Sequence, residues 1–134
     1  MTVTAIQIGL DPDVIDYSAP DFAHFPGLSK EKLRAANDDN VAALRGAGYD
    51  VDNCLIDLGD AGAKKARQWL ETKHYDAVLI GAGVRLVASN TLLFEWIVNA
   101  AHTTQPGCRF VFNHAATSTS DDIRRWYPHP EAVA

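Results

Sequence analysis

His114 follows Asn113 directly after the apolar run RFVF at residues 109–112. An imidazole at the end of a strand is the side chain best suited to exchange protons near neutral pH, so His114 is the first candidate for a general acid or base. Its other reading is a histidine hydrogen-bonded to nearby backbone. Arg85 ends the run GAGVR. Glycines there let the backbone approach a ligand closely, and the guanidinium would grip a carboxylate or phosphate in bidentate fashion, or else pair with Asp11 or Asp57. Asp11 would orient a base or a water, and Tyr17 would donate a hydrogen bond from a loop. His24, Gly83, Asn113, Thr117 and Ser118 complete the set as substrate-binding groups. The chemistry expected of these residues is proton transfer, in a lyase, isomerase or hydrolase acting on a polar or anionic small molecule. The alternative is a non-catalytic metabolite-binding or interaction module that uses the same groups for contacts alone.

Other motifs carry less. GAGVR lacks the third glycine of a dinucleotide fingerprint and follows the third strand rather than the first, so no nucleotide cofactor is expected. Asp11 and Asp13 form a DxD that resembles the opening motif of haloacid-dehalogenase-type phosphatases, but no downstream lysine or acidic metal motif accompanies it, and Pro12 suits a local turn. Asp57 after strand two would be the phosphoacceptor of a receiver-type domain, a reading that fails on position. Asp11, Asp13, His24 and His114 hold oxygen and nitrogen donors at no metal-binding spacing, and no metal is assigned to them. Cys54 and Cys108 lie in or beside strands without a histidine nearby in sequence, which marks them as reduced core thiols rather than a disulfide or a nucleophile.

These residues fall at the ends of elements that the hydrophobic pattern defines. VTAIQIGL (3–10), YDVDNCLI (49–56), YDAVLI (75–80) and RFVF (109–112) read as strands. Between them come a helix after the N-cap Ser29, a second capped by Asp60, a third over Leu92–His102 and a last one capped by Ser120. Strands alternating with helices predict an α/β, flavodoxin-like (Rossmann-like) three-layer sandwich with a four-stranded, mostly parallel sheet in the order 2-1-3-4. Ligands of such sheets bind outside the carboxyl ends of the strands, where every candidate above resides. The link 11–28 is far longer than an ordinary strand-to-helix loop, which marks it as a lid or contact segment, and the tail 128–134 is expected to be irregular.

The 134 residues suit one domain, spanning 1–134, and 47% hydrophobic content supplies an ordinary core. A net charge of −5 with scattered Lys and Arg excludes the basic footprint that nucleic acid requires. No apolar run approaches a membrane span and no secretory leader opens the chain, so a cytoplasmic protein is expected. The helix 92–102 carries Leu92, Phe94, Trp96, Ile97 and Val98 on nearly all sides, with Glu95, Asn99 and His102 as a narrow polar stripe. Such a helix wants cover on more than one face, which predicts a homo-oligomer built through it.

The combination GLDPDVIDYS, FPGLS, LIGAGVR, LLFEWIVNAAH and FNHA resembles a family of short, uncharacterised bacterial and fungal α/β proteins, and the likeness spans most of the chain. It implies no activity. The plan is also similar, at the level of fold, to type II dehydroquinase: a mobile loop after strand one bearing a tyrosine, a histidine at a later strand end, and an oligomer. That likeness would map the tyrosine onto Tyr17 and the histidine onto His114. The family's asparagine-proline-glycine run after strand three is GAGVR in this chain, so the likeness implies architecture rather than that reaction.

Overall fold

Thr4–Leu10 forms strand β1 because its β-branched and apolar residues alternate between two covered faces. Ile6, Ile8 and Leu10 enter one hydrophobic cluster, and Ala5 enters the other. The computed structural model describes residues 1–22, 25, 27–115 and 117–131. After β1 the chain runs through helix α1 (Lys30–Gly46), β2 (Asp50–Ile56), α2 (Gly59–Thr72), β3 (Ala77–Ile80), α3 (Ala82–Arg85), α4 (Thr91–Thr104), β4 (Arg109–Val111) and α5 (Thr119–Ile123). The four strands pair in parallel in the order β2-β1-β3-β4, with Ile8 opposite Cys54 on one side and Ile80 on the other. This is the expected α/β sandwich of flavodoxin-like order.

The two faces of the sheet are unequal. Against α2 and α4, the cluster of Ile6, Ile8, Ile56, Leu70, Ile80 and Ile97 fills the sheet from one end of the strands to the other, each side chain essentially inaccessible to solvent. Against α1 and α5, the large apolar residues gather at the amino ends of the strands, where Val3, Leu44, Tyr49, Val51 and Ile123 pack together. Toward the carboxyl ends the same face carries Gln7 and Gly9 on β1, Asn53 on β2 and Gly81 after β3. Small and amide side chains cannot fill the space below α1, so the layer stays open there.

Several element ends differ in detail from the sequence-based expectation. Ser29 caps α1 as expected, its hydroxyl accepting from the Lys32 amide at 3.2 Å. α2 begins at Gly59 rather than after an Asp60 cap, and no side chain caps it. The close approach of Gly62 to the preceding chain sets this start, since a Cβ at Gly62 would lie 1.8 Å from the Asp57 carbonyl oxygen. GAGVR is not an open turn: Ala82–Arg85 is one helical turn. α5 starts at Thr119, and the hydroxyl of the preceding Ser118 serves the 113–118 loop instead of a helix cap. The described part of the tail is tied down by an isolated bridge between Thr2 and Glu131 and by the Val3 amide donating to the Pro130 carbonyl at 2.7 Å.

α4 buries Leu93, Ile97, Ala100 and Ala101 at helical spacing and leaves an apolar edge in the open. Leu92 is 74% and Trp96 50% exposed. Cys54 and Cys108 are free, and burial pushes the Cys54 thiol up to about 11. Among the described residues no helix is long and apolar enough to cross a membrane.

Candidate functional site

The open part of the α1/α5 face is a cavity of about 450 Å³. Its floor is Gln7 and Gly9 of β1 with Leu79 and Gly81 of the β3 end; α1 forms one wall through Leu33, Ala36, Asn37 and Asn40. Phe22, Phe25 and Leu28 from the long 11–28 link cover it with apolar surface, and Val111, Asn113, His114 and Thr119 close the far side. The cavity lies over the junction of β1 and β3, where connections from the sheet depart in opposite directions, the place at which parallel sheets bind ligands. Two glycines make the room. A Cβ at Gly9 would meet nothing within 4 Å, and one at Gly81 would touch only backbone, at 3.7 Å from Gly9 Cα.

His114 sits at the rim, held by a residue that the sequence did not mark. Its Nδ1 lies 2.6 Å from Oδ1 of Asp122, whose side chain is 1% exposed while that of His114 is 72% exposed. The other carboxylate oxygen accepts the Ser118 hydroxyl at 2.5 Å, and Arg125 Nη1 donates to Oδ1 from the outside. Burial pushes the Asp122 carboxyl up, but the hydrogen bonds from Ser118, His114 and Arg125 outweigh it and hold the group below the usual carboxylate value. An ionised carboxylate accepts only, so Nδ1 of a neutral His114 carries the proton and Nε2 keeps its lone pair. Ser118 Oγ in turn accepts from the backbone amides of His114 and Ala115, at 3.2 and 3.0 Å, which fixes the loop that presents the imidazole.

The remaining sequence candidates divide clearly. Asn113 and Gly83 line the cavity with His114. Ser118 acts behind His114 through Asp122, and Thr117 is exposed on the loop. Arg85 does not line the cavity. Its Nε donates to the Ile80 carbonyl at 2.8 Å and its Nη2 to the carbonyl and side-chain oxygens of Asn113 at 3.0 and 2.8 Å, with the guanidinium over the Phe112 ring. Burial draws its pKa down while the Asp122 charge opposes that shift. Arg85 thus fastens the end of β3 to the end of β4. Asp11 caps the turn at Pro12–Val14 by accepting the Asp13 amide at 2.9 Å, and with Asp13 it pairs with Arg34 on α1. Tyr17 donates its hydroxyl to the Pro12 carbonyl at 2.8 Å, and burial raises its pKa. His24 lies outside the described residues.

Gln7, Asn37, Asn40 and Thr119 are cavity residues absent from the sequence-based set. Gln7 Nε2 donates to Asn37 Oδ1 at 2.8 Å, an amide pair between the floor and the α1 wall. Its Oε1 and the Oδ1 of Asn53, the residue opposite it in the β1/β2 register, are buried with no hydrogen-bond partner among the described residues. A polar residue inside VTAIQIGL was the available signal, since a central strand covered on both faces seldom spends a position on an amide. Among the described residues no three His, Cys, Asp or Glu side chains gather as a metal-binding group. Comparison of the chain with protein-family models, with curated proteins and with solved structures returned no match.

Proposed function

We propose that this protein is a small-molecule enzyme that works by general acid–base catalysis, of the lyase, isomerase or hydrolase type, with His114 transferring the proton. The observation that carries the reading is the 2.6 Å contact between His114 and buried Asp122 at the rim of the cavity. The carboxylate fixes the tautomer and the ring orientation, leaving Nε2 to accept a proton from a bound substrate or a water and to return it later. The imidazolium formed in between is stabilised by the adjacent negative charge. Phe22, Phe25 and Leu28 give the cavity apolar walls for the body of a substrate, while the His114 imidazole, 72% exposed at the rim, meets both substrate and water. Asp122 acts through His114 and is a positioning residue.

The test is a turnover screen over esters, lactones, enolisable ketones and β-hydroxy carbonyl compounds, run beside His114→Gln. A substrate turned over by the wild type should lose at least about 100-fold in rate in the variant, with the fold intact. Full activity in the variant removes His114 from the mechanism. Binding of small molecules with no turnover would favour the metabolite-binding module. We also propose that a second copy covers the exposed edge that Leu92 and Trp96 form on α4.

A further inference from the structure

The cavity holds an unusual mixture of groups. Of the described residues that line it, His114 is the one with a titratable side chain; every other polar contribution is an amide or a hydroxyl, from Gln7, Asn37, Asn40, Asn113 and Thr119. The cations nearby are engaged elsewhere. Arg34 pairs with Asp11 and Asp13, Arg85 holds the two strand ends, and Arg125 is bound to Asp122 and to the Phe112 carbonyl. An anion placed in this space would lose its water without meeting a counter-charge. A full cation would lose its water on a floor of neutral groups.

The floor has a preference of its own. Gln7 and Asn53 stand side by side on β1 and β2 with one carbonyl oxygen each left without a donor. Leaving such an acceptor buried and unmade costs about 1–3 kcal/mol, and folded proteins keep few of them. Of the two, Gln7 borders the cavity, its Oε1 closed off from solvent beneath the floor, so that a donor reaches it as the amide turns. Beside it Gly9 and Gly81 leave flat backbone uncovered between apolar Leu33, Leu79 and Val111, a surface suited to a ring lying on the sheet.

We infer that the cavity selects an uncharged, ring-bearing molecule with an N–H donor of carboxamide type, its donor turned to Gln7 and its ring over Gly9 and Gly81. This inference rests on the same cavity as the proposed enzyme reading and narrows its substrate class: the anionic compounds that Arg85 suggested are disfavoured, and neutral ones are taken. A volume of about 450 Å³ lies within the range of small-molecule pockets.

The probes are benzamide, benzoate, benzamidine and toluene, four molecules of nearly equal size that differ in charge and in donors. Each is titrated into the full chain at neutral pH and followed by amide NMR. Benzamide should shift the Gly9 and Gly81 amides and the Gln7 side-chain amide, and benzoate and benzamidine should bind at least about tenfold more weakly, a difference of about 1.4 kcal/mol. Gly9→Leu, which fills the floor, should abolish the benzamide shifts while the rest of the spectrum is kept. Gln7→Leu should weaken benzamide about tenfold and leave toluene unaffected. Benzoate or benzamidine binding as tightly as benzamide, an unchanged benzamide affinity in Gln7→Leu, or no response at Gly9 and Gly81 overturns the inference. Binding and turnover fail separately: benzamide binding with no turnover of any substrate sinks the acid–base reading alone, whereas turnover combined with a preference for benzoate sinks this one alone.

Discussion

Replacing Asp122 by Asn tests the dyad most directly, because the change keeps the shape of the side chain and alters only what it can accept. Asp122 is 1% exposed and takes donors on both oxygens: Ser118 on one, His114 and Arg125 on the other. An asparagine retains one acceptor oxygen. If that oxygen stays with His114 and Arg125, the new NH₂ faces Ser118 Oγ, which already accepts from the His114 and Ala115 amides. If it turns to Ser118, the NH₂ faces His114 Nδ1 and forces the ring proton onto Nε2, the wrong tautomer for a base. Either orientation loses a hydrogen bond to a charged group, worth about 1.5–3 kcal/mol, and leaves a buried polar atom badly paired. Arg125 is about half exposed and returns to water at little cost. The sum is about 3 kcal/mol, at the low end for breaking a buried charged pair, and it should lower the thermal midpoint by about 10 °C. Catalysis should fall by about 10²–10⁴-fold. The assays are urea and thermal unfolding together with imidazole ¹⁵N shifts, which report the protonated nitrogen. If Asp122→Asn melts within about 1 kcal/mol of wild type and His114 keeps its proton on Nδ1, the carboxylate neither supports the loop nor orients the ring, and the dyad is refuted.

Three further outcomes follow from the same geometry. Gly62→Ala should destabilise by about 2 kcal/mol or more in urea, since its Cβ would fall 1.8 Å from the Asp57 carbonyl oxygen and overpacking outweighs the gain in helix propensity; Gly46→Ala, whose Cβ meets nothing within 4 Å, should be neutral or slightly stabilising. Equal stability of Gly62→Ala and wild type would show that the start of α2 yields without cost. Asp52, Asp76 and Asp122 are all held below their ordinary value of 3.8, in each case because hydrogen bonds outweigh the upward push of burial. Their stabilisation is therefore complete above that value and lost as pH falls through the lowered ones: the urea midpoint should drop below about pH 4 and drop less steeply in Asp122→Asn, and a parallel pH dependence in the two proteins would count against it. Trp96→Glu should weaken self-association by about 100-fold or more in sedimentation equilibrium if a second copy covers α4, and a wild type that is monomeric throughout would remove that partner.

The fold was legible because its signals are local. VTAIQIGL and DAVLI announce buried strands, Ser29 announces a helix start, and the alternation of strands with helices restricts the topology to few choices, of which β2-β1-β3-β4 is the one adopted. The rule that ligands sit at the carboxyl ends of parallel strands pointed to the edge of the sheet that carries the cavity, and three of the residues it selected border that cavity: His114, Asn113 and Gly83. What stayed hidden depends on contacts between distant parts of the chain. Asp122 lies in the first turn of a helix, where an acidic residue ordinarily needs no partner beyond the helix dipole. Only the hold of Ser118 Oγ on the His114 and Ala115 amides brings His114 onto it. Arg85 looked free because its acceptors are carbonyls five and 28 residues away in sequence. Asp11 and Tyr17 looked reactive because their partners, a turn amide, Arg34 and the Pro12 carbonyl, are ordinary groups that many side chains satisfy.

The inequality of the two sheet faces links stability to function. The α2/α4 face is filled by branched aliphatic side chains along the whole length of the strands, and such burial contributes about 1.5–3 kcal/mol for each fully covered residue. That face and the amino-end half of the other suffice to hold a domain of this size, whose margin over unfolding is only about 5–15 kcal/mol. The carboxyl-end half of the α1/α5 face is then released from packing duty. An ordinary core would place Val or Leu at positions 7, 9 and 53 and would gain from it; this chain places Gln, Gly and Asn there, with two acceptors left unmade. Aliphatic residues at those positions would stabilise the strands, and at positions 7 and 9 they would also close the cavity. The stability forgone is spread over adjacent residues of two paired strands, under the wall that α1 provides and a few residues from His114. Gln7 and Gly9 thereby trade packing for open space, the space that the proposed substrate would use.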